Sequence, residues 1–175
     1  SGRDVPLVSG DRKMHLFDID VKNGQRFKES DTLSAGNNIT VFDTKWGKMG
    51  LCICYDFRFP ELARLMVDLG AKIILVPAAF NMTTGPLHWE LLFQSRAVDN
   101  QVFTIGTAPA RNLNASYHSY GHSIIVSPWG KILNQADFEE TALFTTINLN
   151  EISLVREQIP LLRHRRLDIY ELTQK

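Results

Sequence analysis

Residues 71 to 77, Ala-Lys-Ile-Ile-Leu-Val-Pro, form an apolar run closed by Gly70 at one end and by Pro77 at the other. A short apolar run without alternation fits a strand buried on both faces, the kind found where helices cover a parallel sheet. The residues before it supply a helix. Over 60–69, Leu62, Leu65, Met66 and Leu69 recur at helical spacing, Pro60 suits the first turn and Gly70 suits the position just past the end. Upstream, residues 39–44 alternate, Lys45-Trp46-Gly47 supplies a turn, and an apolar run resumes over 48–54. The order is strand, turn, strand, helix, buried strand, which predicts an α/β chain.

The second half continues in the same style. A helix is predicted over 86–100, opened by Pro86, with Trp89, Leu92, Phe93, Ala97 and Val98 sharing an apolar side. Residues 102–108 read as another buried strand. Ser127-Pro128-Trp129-Gly130 has the turn residues of a hairpin between strands at 123–126 and 131–133, and 143–148 reads as one more strand. No repeat, linker or low-complexity stretch interrupts the chain, so residues 1–175 are taken as one domain ending in a tail, 151–175. The basic cluster Arg163-His164-Arg165-Arg166 reads as a solvated face.

Of the 175 residues, 44% are hydrophobic and 22% charged, which suffices for one domain with a core. Nineteen basic and nineteen acidic side chains cancel, so no broad basic surface points to nucleic acid or a membrane, and a small-molecule partner is expected. There is no run of about 18 apolar residues that could span a bilayer. The two cysteines, Cys52 and Cys54, are too close to staple a fold, which suits a reducing compartment, cytoplasm or mitochondrion. Ser1-Gly2-Arg3-Asp4 lacks the pattern of a secretory signal.

Cys54 closes the apolar run and is followed by Tyr55-Asp56-Phe57-Arg58-Phe59-Pro60-Glu61. A turn between strand and helix lifts a side chain out of the sheet edge, and a helix N-terminus activates a thiol. Cys54 therefore reads as a nucleophile or as inert packing, and Cys52 as packing. A Cys-x-Cys pair can also bind zinc, but a closed site needs two more ligands and no second pair exists, so neither metal nor cofactor is expected. The histidines do not single out a base. His88, His118, His122 and His164 read as structural, and His15 adjoins Lys13 within Arg12-Lys13-Met14-His15-Leu16-Phe17. Lys13 taken alone reads as a surface lysine.

Taken together, several separated motifs resemble the nitrilase superfamily of carbon-nitrogen hydrolases. Residues 12–17 resemble its lysine motif, residues 54–61 its nucleophile motif, and Gly121-His122-Ser123 a recurrent strand start. Within the superfamily, Pro77 to Glu90 and Ser95 to Asn100 look most like the omega-amidase branch. The resemblance implies a four-layer α-β-β-α sandwich and a Cys, Lys and Glu catalytic set. Cys54 becomes the nucleophile, Lys13 the cation, and Glu29 the second glutamate that orients Lys13. Lys13 and the Tyr55 backbone N–H would stabilise the oxyanion.

The main catalytic glutamate of the family lies well upstream of the lysine motif, and Asp4 is too close to that motif to be its equivalent. The chain is therefore expected to be the C-terminal portion of a longer enzyme, nearly inactive alone and with exposed sheet edges. The resemblance implies hydrolysis of a 2-oxo dicarboxylate monoamide, 2-oxoglutaramate or 2-oxosuccinamate, to the 2-oxo acid and ammonia through a cysteine thioester. Arg58 is the candidate partner of the far carboxylate, or else a structural partner of Asp56 or Glu61. Tyr55, Asn81, Thr83 and Thr84 are candidate polar contacts, and Glu90 joins the rim or supports its helix. The alternatives are an amidase of deaminated glutathione, or a non-catalytic binding or assembly protein. A homodimer or larger assembly is expected through the tail, where Ile152, Leu154, Ile159, Leu161 and Leu162 are apolar.

Overall fold

The apolar run after Gly70 lies in the middle of a six-stranded sheet in the computed structural model, which describes residues 10–20 and 26–175. Ser1-Gly2-Arg3-Asp4 lies outside the described residues. Two short strands, β1 (Asp18–Asp20) and β2 (Arg26–Lys28), pair as an antiparallel ribbon. The large sheet follows in chain order: β3 (Thr40–Thr44), β4 (Gly47–Leu51), β5 (Ile73–Pro77), β6 (Phe103–Thr107), β7 (Ile124–Val126) and β8 (Ile132–Gln135). The pairs β4–β5 and β5–β6 are parallel, and the other neighbours are antiparallel. The helices are α1 (Pro60–Asp68), α2 (Gly85–Asn100) and α3 (Asn150–Gln158).

Residues on β5 alternate between two apolar layers. Ile74 and Val76 face the main core with Met66 of α1 and with Trp89 and Phe93 of α2, all of them buried. Ile73 joins Phe103 and Ile152 on the other side, with Met49, Leu75 and Ile105 packed against them. This two-sided burial is why the run carries no polar alternation. Two glycines let the layers close. Gly70 stands at φ +101°, so the chain turns back after α1 while the Ala71 N–H donates to the Met66 carbonyl at 3.0 Å. A Cβ on Gly106 would fall 2.4 Å from Phe93 Cζ, so only glycine lets α2 settle this closely on β6.

Most predicted elements form, with these differences. β4 stops at Leu51, and Cys54 instead opens a 3-10 turn, Cys54–Arg58. Residues 143–148 alternate in exposure, but they pair with no strand among the described residues, and Phe144 is 85% exposed. The alternation is real and the ladder is absent. The tail contains α3, whose start is marked by the Asn148 side chain accepting the Asn150 N–H at 3.1 Å. Leu69 and Val98 are exposed, because α1 and α2 turn their last apolar positions past the core edge. Ile152 is buried within the chain itself and Leu162 packs against the main core, so neither is free for an interface. Arg165 of the basic cluster forms a paired bond to Asp68, both contacts at 2.8 Å.

The described residues thus form one mixed sheet with α1 and α2 packed on one face and Ile152 of α3 packed on the other, together with the β1–β2 ribbon, with β3 and β8 as edge strands.

Candidate active site

β4, β5 and β6 run parallel, so their carboxyl ends lie on one side of the sheet. Residues 53–55, 77–81 and 107–109, at or just beyond those ends, wall a cleft of about 770 Å³. Open α/β sheets bind ligands at this place. Cys54 sits in the cleft at φ +50°, a left-handed conformation that a residue with a Cβ adopts at a cost of roughly 1–2 kcal/mol. Strain of this kind gathers at functional positions.

Burial pushes the Cys54 thiol above its ordinary pKa. A hydrogen bond with the Ala79 backbone pulls it down, as do Lys13 and Arg58, whereas Glu29 pushes it up. The expected helix N-terminus does not act at Cys54, since α1 begins only at Pro60. Burial outweighs the cations, so the thiol needs a proton acceptor to become a nucleophile. Cys52 is fully buried and its thiol is pushed up further, again chiefly by burial.

Lys13 and Glu29 line the cleft beside Cys54. Lys13 Nζ donates to Glu29 Oε2 at 2.5 Å, and their side chains are only 10% and 18% exposed. The same Glu29 oxygen accepts the Phe17 N–H at 2.8 Å. Lys13 Nζ also stands 5.8 Å from the Phe17 ring and 5.9 Å from the Tyr55 ring. Tyr55 lines the cleft and packs edge-on against Phe17 and Phe59. Lys13 is therefore no surface lysine.

Arg58 also lines the cleft. It bonds neither Asp56 nor Glu61. One of its nitrogens lies 3.0 Å from His88 Nδ1, and its guanidinium lies 4.6 Å from the centre of the Phe80 ring. A guanidinium held over a ring keeps other edges for a carboxylate. Asn81 and Thr84 line the cleft as well, whereas Thr83 is exposed outside it. Asn81 Oδ1 accepts the Thr83 N–H, the Thr84 N–H and the Thr84 hydroxyl at 2.8 to 3.1 Å, which shapes the entry to α2. Glu90 is away from the cleft and accepts from Gln135 Nε2 at 2.9 Å.

Three residues at or around the cleft carry more than their sequence setting indicates. Tyr117 lines it from a loop and donates to the Ala79 carbonyl at 2.7 Å; burial, with the nearby Cys54 charge, pushes its phenol up to about 12. His88 holds Arg58 from α2. Asp56 is 1% exposed beneath the Cys54 turn. An acidic side chain inside the apolar stretch after Cys54 is the one signal the sequence offers for it. Among the described residues, no group of three His, Cys, Asp or Glu side chains is placed to hold a metal ion.

With this geometry, the sequence matches a profile of carbon-nitrogen hydrolases over residues 2–157. The chain belongs to the carbon-nitrogen hydrolase family. It is 51% identical over 174 residues to the omega-amidase NIT2-A of Xenopus laevis, covering 99% of this chain and 63% of that protein. It is 52% identical over 167 residues to the omega-amidase NIT3 of Saccharomyces cerevisiae, covering 95% of this chain and 57% of that one. The crystal structure of Saccharomyces cerevisiae Nit3, a member of branch 10 of the nitrilase superfamily, superposes with a TM-score of 0.83 at 48% identity, over 93% of this chain and 56% of that one. The fold is therefore that of the nitrilase superfamily. The chain spans 63% or less of the length of these relatives.

Proposed function

We propose that the protein carrying this chain is an amidase that converts a 2-oxo dicarboxylate monoamide, 2-oxoglutaramate or 2-oxosuccinamate, to the 2-oxo acid and ammonia. The observation that carries this is the meeting in one cleft of Cys54, the Lys13–Glu29 pair and Arg58. The similarity to omega-amidases at about half identity supports the same substrate class.

Cys54 loses its proton to a base and attacks the side-chain amide carbonyl. The carbonyl oxygen gains negative charge, which the Lys13 ammonium and the Tyr55 N–H stabilise, and Glu29 keeps the ammonium in place. The C–N bond breaks, ammonia leaves with the returned proton, and a thioester remains on Cys54. Water attacks the thioester, the C–S bond breaks, and the carboxylate leaves with the thiol restored. Glu29 already serves Lys13 and the Phe17 N–H, so the base is a further carboxylate. The family resemblance assigns it to a glutamate upstream of the lysine motif. Arg58 pairs the far carboxylate of the substrate, with polar contacts from Asn81 and Thr84. The protein works as a dimer or larger homo-oligomer, a reading supported by exposed Leu154, Leu161, Leu167 and Ile169 in the C-terminal segment.

Ammonia release by the whole protein tests the substrate. Turnover of 2-oxoglutaramate is expected to exceed that of deaminated glutathione by at least about tenfold in kcat/KM, the worth of one well-placed polar contact. Preference for deaminated glutathione, or no release from either amide, contradicts the proposal.

A further inference from the structure

Asp56 is 1% exposed and does not line the cleft. Its carboxylate nevertheless collects donors from two segments about 40 residues apart in sequence. Oδ1 accepts the Met14 N–H at 3.1 Å and the His15 N–H at 2.7 Å, and lies 2.8 Å from His15 Nδ1. Because a carboxylate only accepts, that contact puts a proton on Nδ1. Oδ2 accepts the Ile53 N–H at 3.1 Å and lies 3.3 Å from the Met14 nitrogen. Met14 directly follows Lys13, and Ile53 directly precedes Cys54.

The carboxylate thus touches the immediate neighbour of the cation on one side and of the nucleophile on the other. His15 completes the tie by stacking on Phe59 at the end of the same turn, with ring centres 3.7 Å apart and planes 12° from parallel. Glu29 holds the other end of the lysine segment through the Phe17 N–H. A buried charge is a poor source of net stability even when it is bonded. A carboxylate ringed by N–H groups does, however, fix the relative position of the segments that carry them.

We propose that Asp56 is a positioning residue that locks the Lys13 segment and the Cys54 turn in one register, so that ammonium and sulfur face the same substrate carbonyl. It contacts neither the substrate nor the thiol. This role rests on the proposed parts of Cys54 and Lys13. Asp56→Asn turns one acceptor oxygen into an NH₂ group pointing at donors, which releases one of the two segments whichever way the amide is turned. The acylation rate falls roughly ten- to a hundredfold, as expected for displacement of about an ångström, with KM little changed.

The deciding experiment is the pH profile of Cys54 alkylation by iodoacetamide, read by peptide mass in the whole protein and in Lys13→Ala, Asp56→Asn and the double variant. Lys13→Ala removes a cation that favours the thiolate, so the midpoint rises. Asp56→Asn is expected to raise it in the same direction and to add little in the Lys13→Ala background. An unmoved midpoint in Asp56→Asn, or full additivity in the double variant, overturns the positioning role while leaving Lys13 in place. An unmoved midpoint in Lys13→Ala itself removes the proposed part of Lys13, and the role of Asp56 falls with it. Should Asp56→Asn fail to fold, His15→Phe keeps the stack on Phe59 and removes one bond to Asp56. It is expected to give a smaller shift of the same sign, and no shift there also overturns the role.

Discussion

At the scale of single residues, the site is a contest between burial and nearby charge. Burial raises the Cys54 thiol and two cations, Lys13 and Arg58, oppose it without reversing the balance. Arg58 is the residue whose substitution reads most clearly. Lysine keeps the charge but loses the planar fork, the seat over Phe80 and the geometry of two parallel bonds to a carboxylate. Arg58→Lys is expected to raise KM for 2-oxoglutaramate roughly tenfold, or about 1.4 kcal/mol, with a smaller change in kcat. Steady-state kinetics check this against a simple amide that lacks the carboxylate, whose KM should hold. Equal effects on both amides would remove Arg58 from carboxylate recognition. Cys54 stood out in the sequence because the strand-to-turn pattern around it is local, whereas Lys13, which alone reads as a surface lysine, was singled out only by the family resemblance. Asp56, His88 and Tyr117 did not stand out, because each acts on a residue at least 30 positions away. The direction of the Cys54 shift was equally hidden, since it depends on burial that only the folded chain creates.

At the scale of elements, the legible parts are those whose apolar pattern answers to one dominant surface. The run of β5, the spacing in α1 and the turn after β7 were all readable, because each buries residues against the main core or closes a hairpin. β1 and β2 have three residues each and are mostly exposed, so they leave no pattern. α3 escaped notice because only Ile152 and Val155 of its nine residues are buried. Residues 143–148 show the opposite error, an alternation with no partner strand among the described residues. The C-terminal segment beyond α3 leaves Leu161, Leu167 and Ile169 exposed, and association of the whole protein is expected to use them. Sedimentation of the whole protein should give a dimer or larger species, weakened by Leu167→Asp. A strict monomer would refute this.

At the scale of the whole molecule, the strand order decides where chemistry can occur. Three parallel strands deliver residues 53–55, 77–81 and 107–109 to one rim, and the lysine segment reaches the same rim through Glu29 and Asp56. The α/β class and the order of the central elements followed from the sequence. The closure of the lysine segment onto the Cys54 turn did not, because hydrogen bonds to buried carboxylates carry no periodic signal. On this reading Cys54 attacks an amide carbonyl and carries the acyl group. Acid quenching of the whole protein during turnover of 2-oxoglutaramate, followed by peptide mass spectrometry, tests it directly. The Cys54 peptide is predicted to gain the mass of the substrate less ammonia, and Cys54→Ala to show neither adduct nor turnover. Turnover with no adduct on Cys54, or sustained turnover by Cys54→Ala, would rule out Cys54 as the acyl carrier.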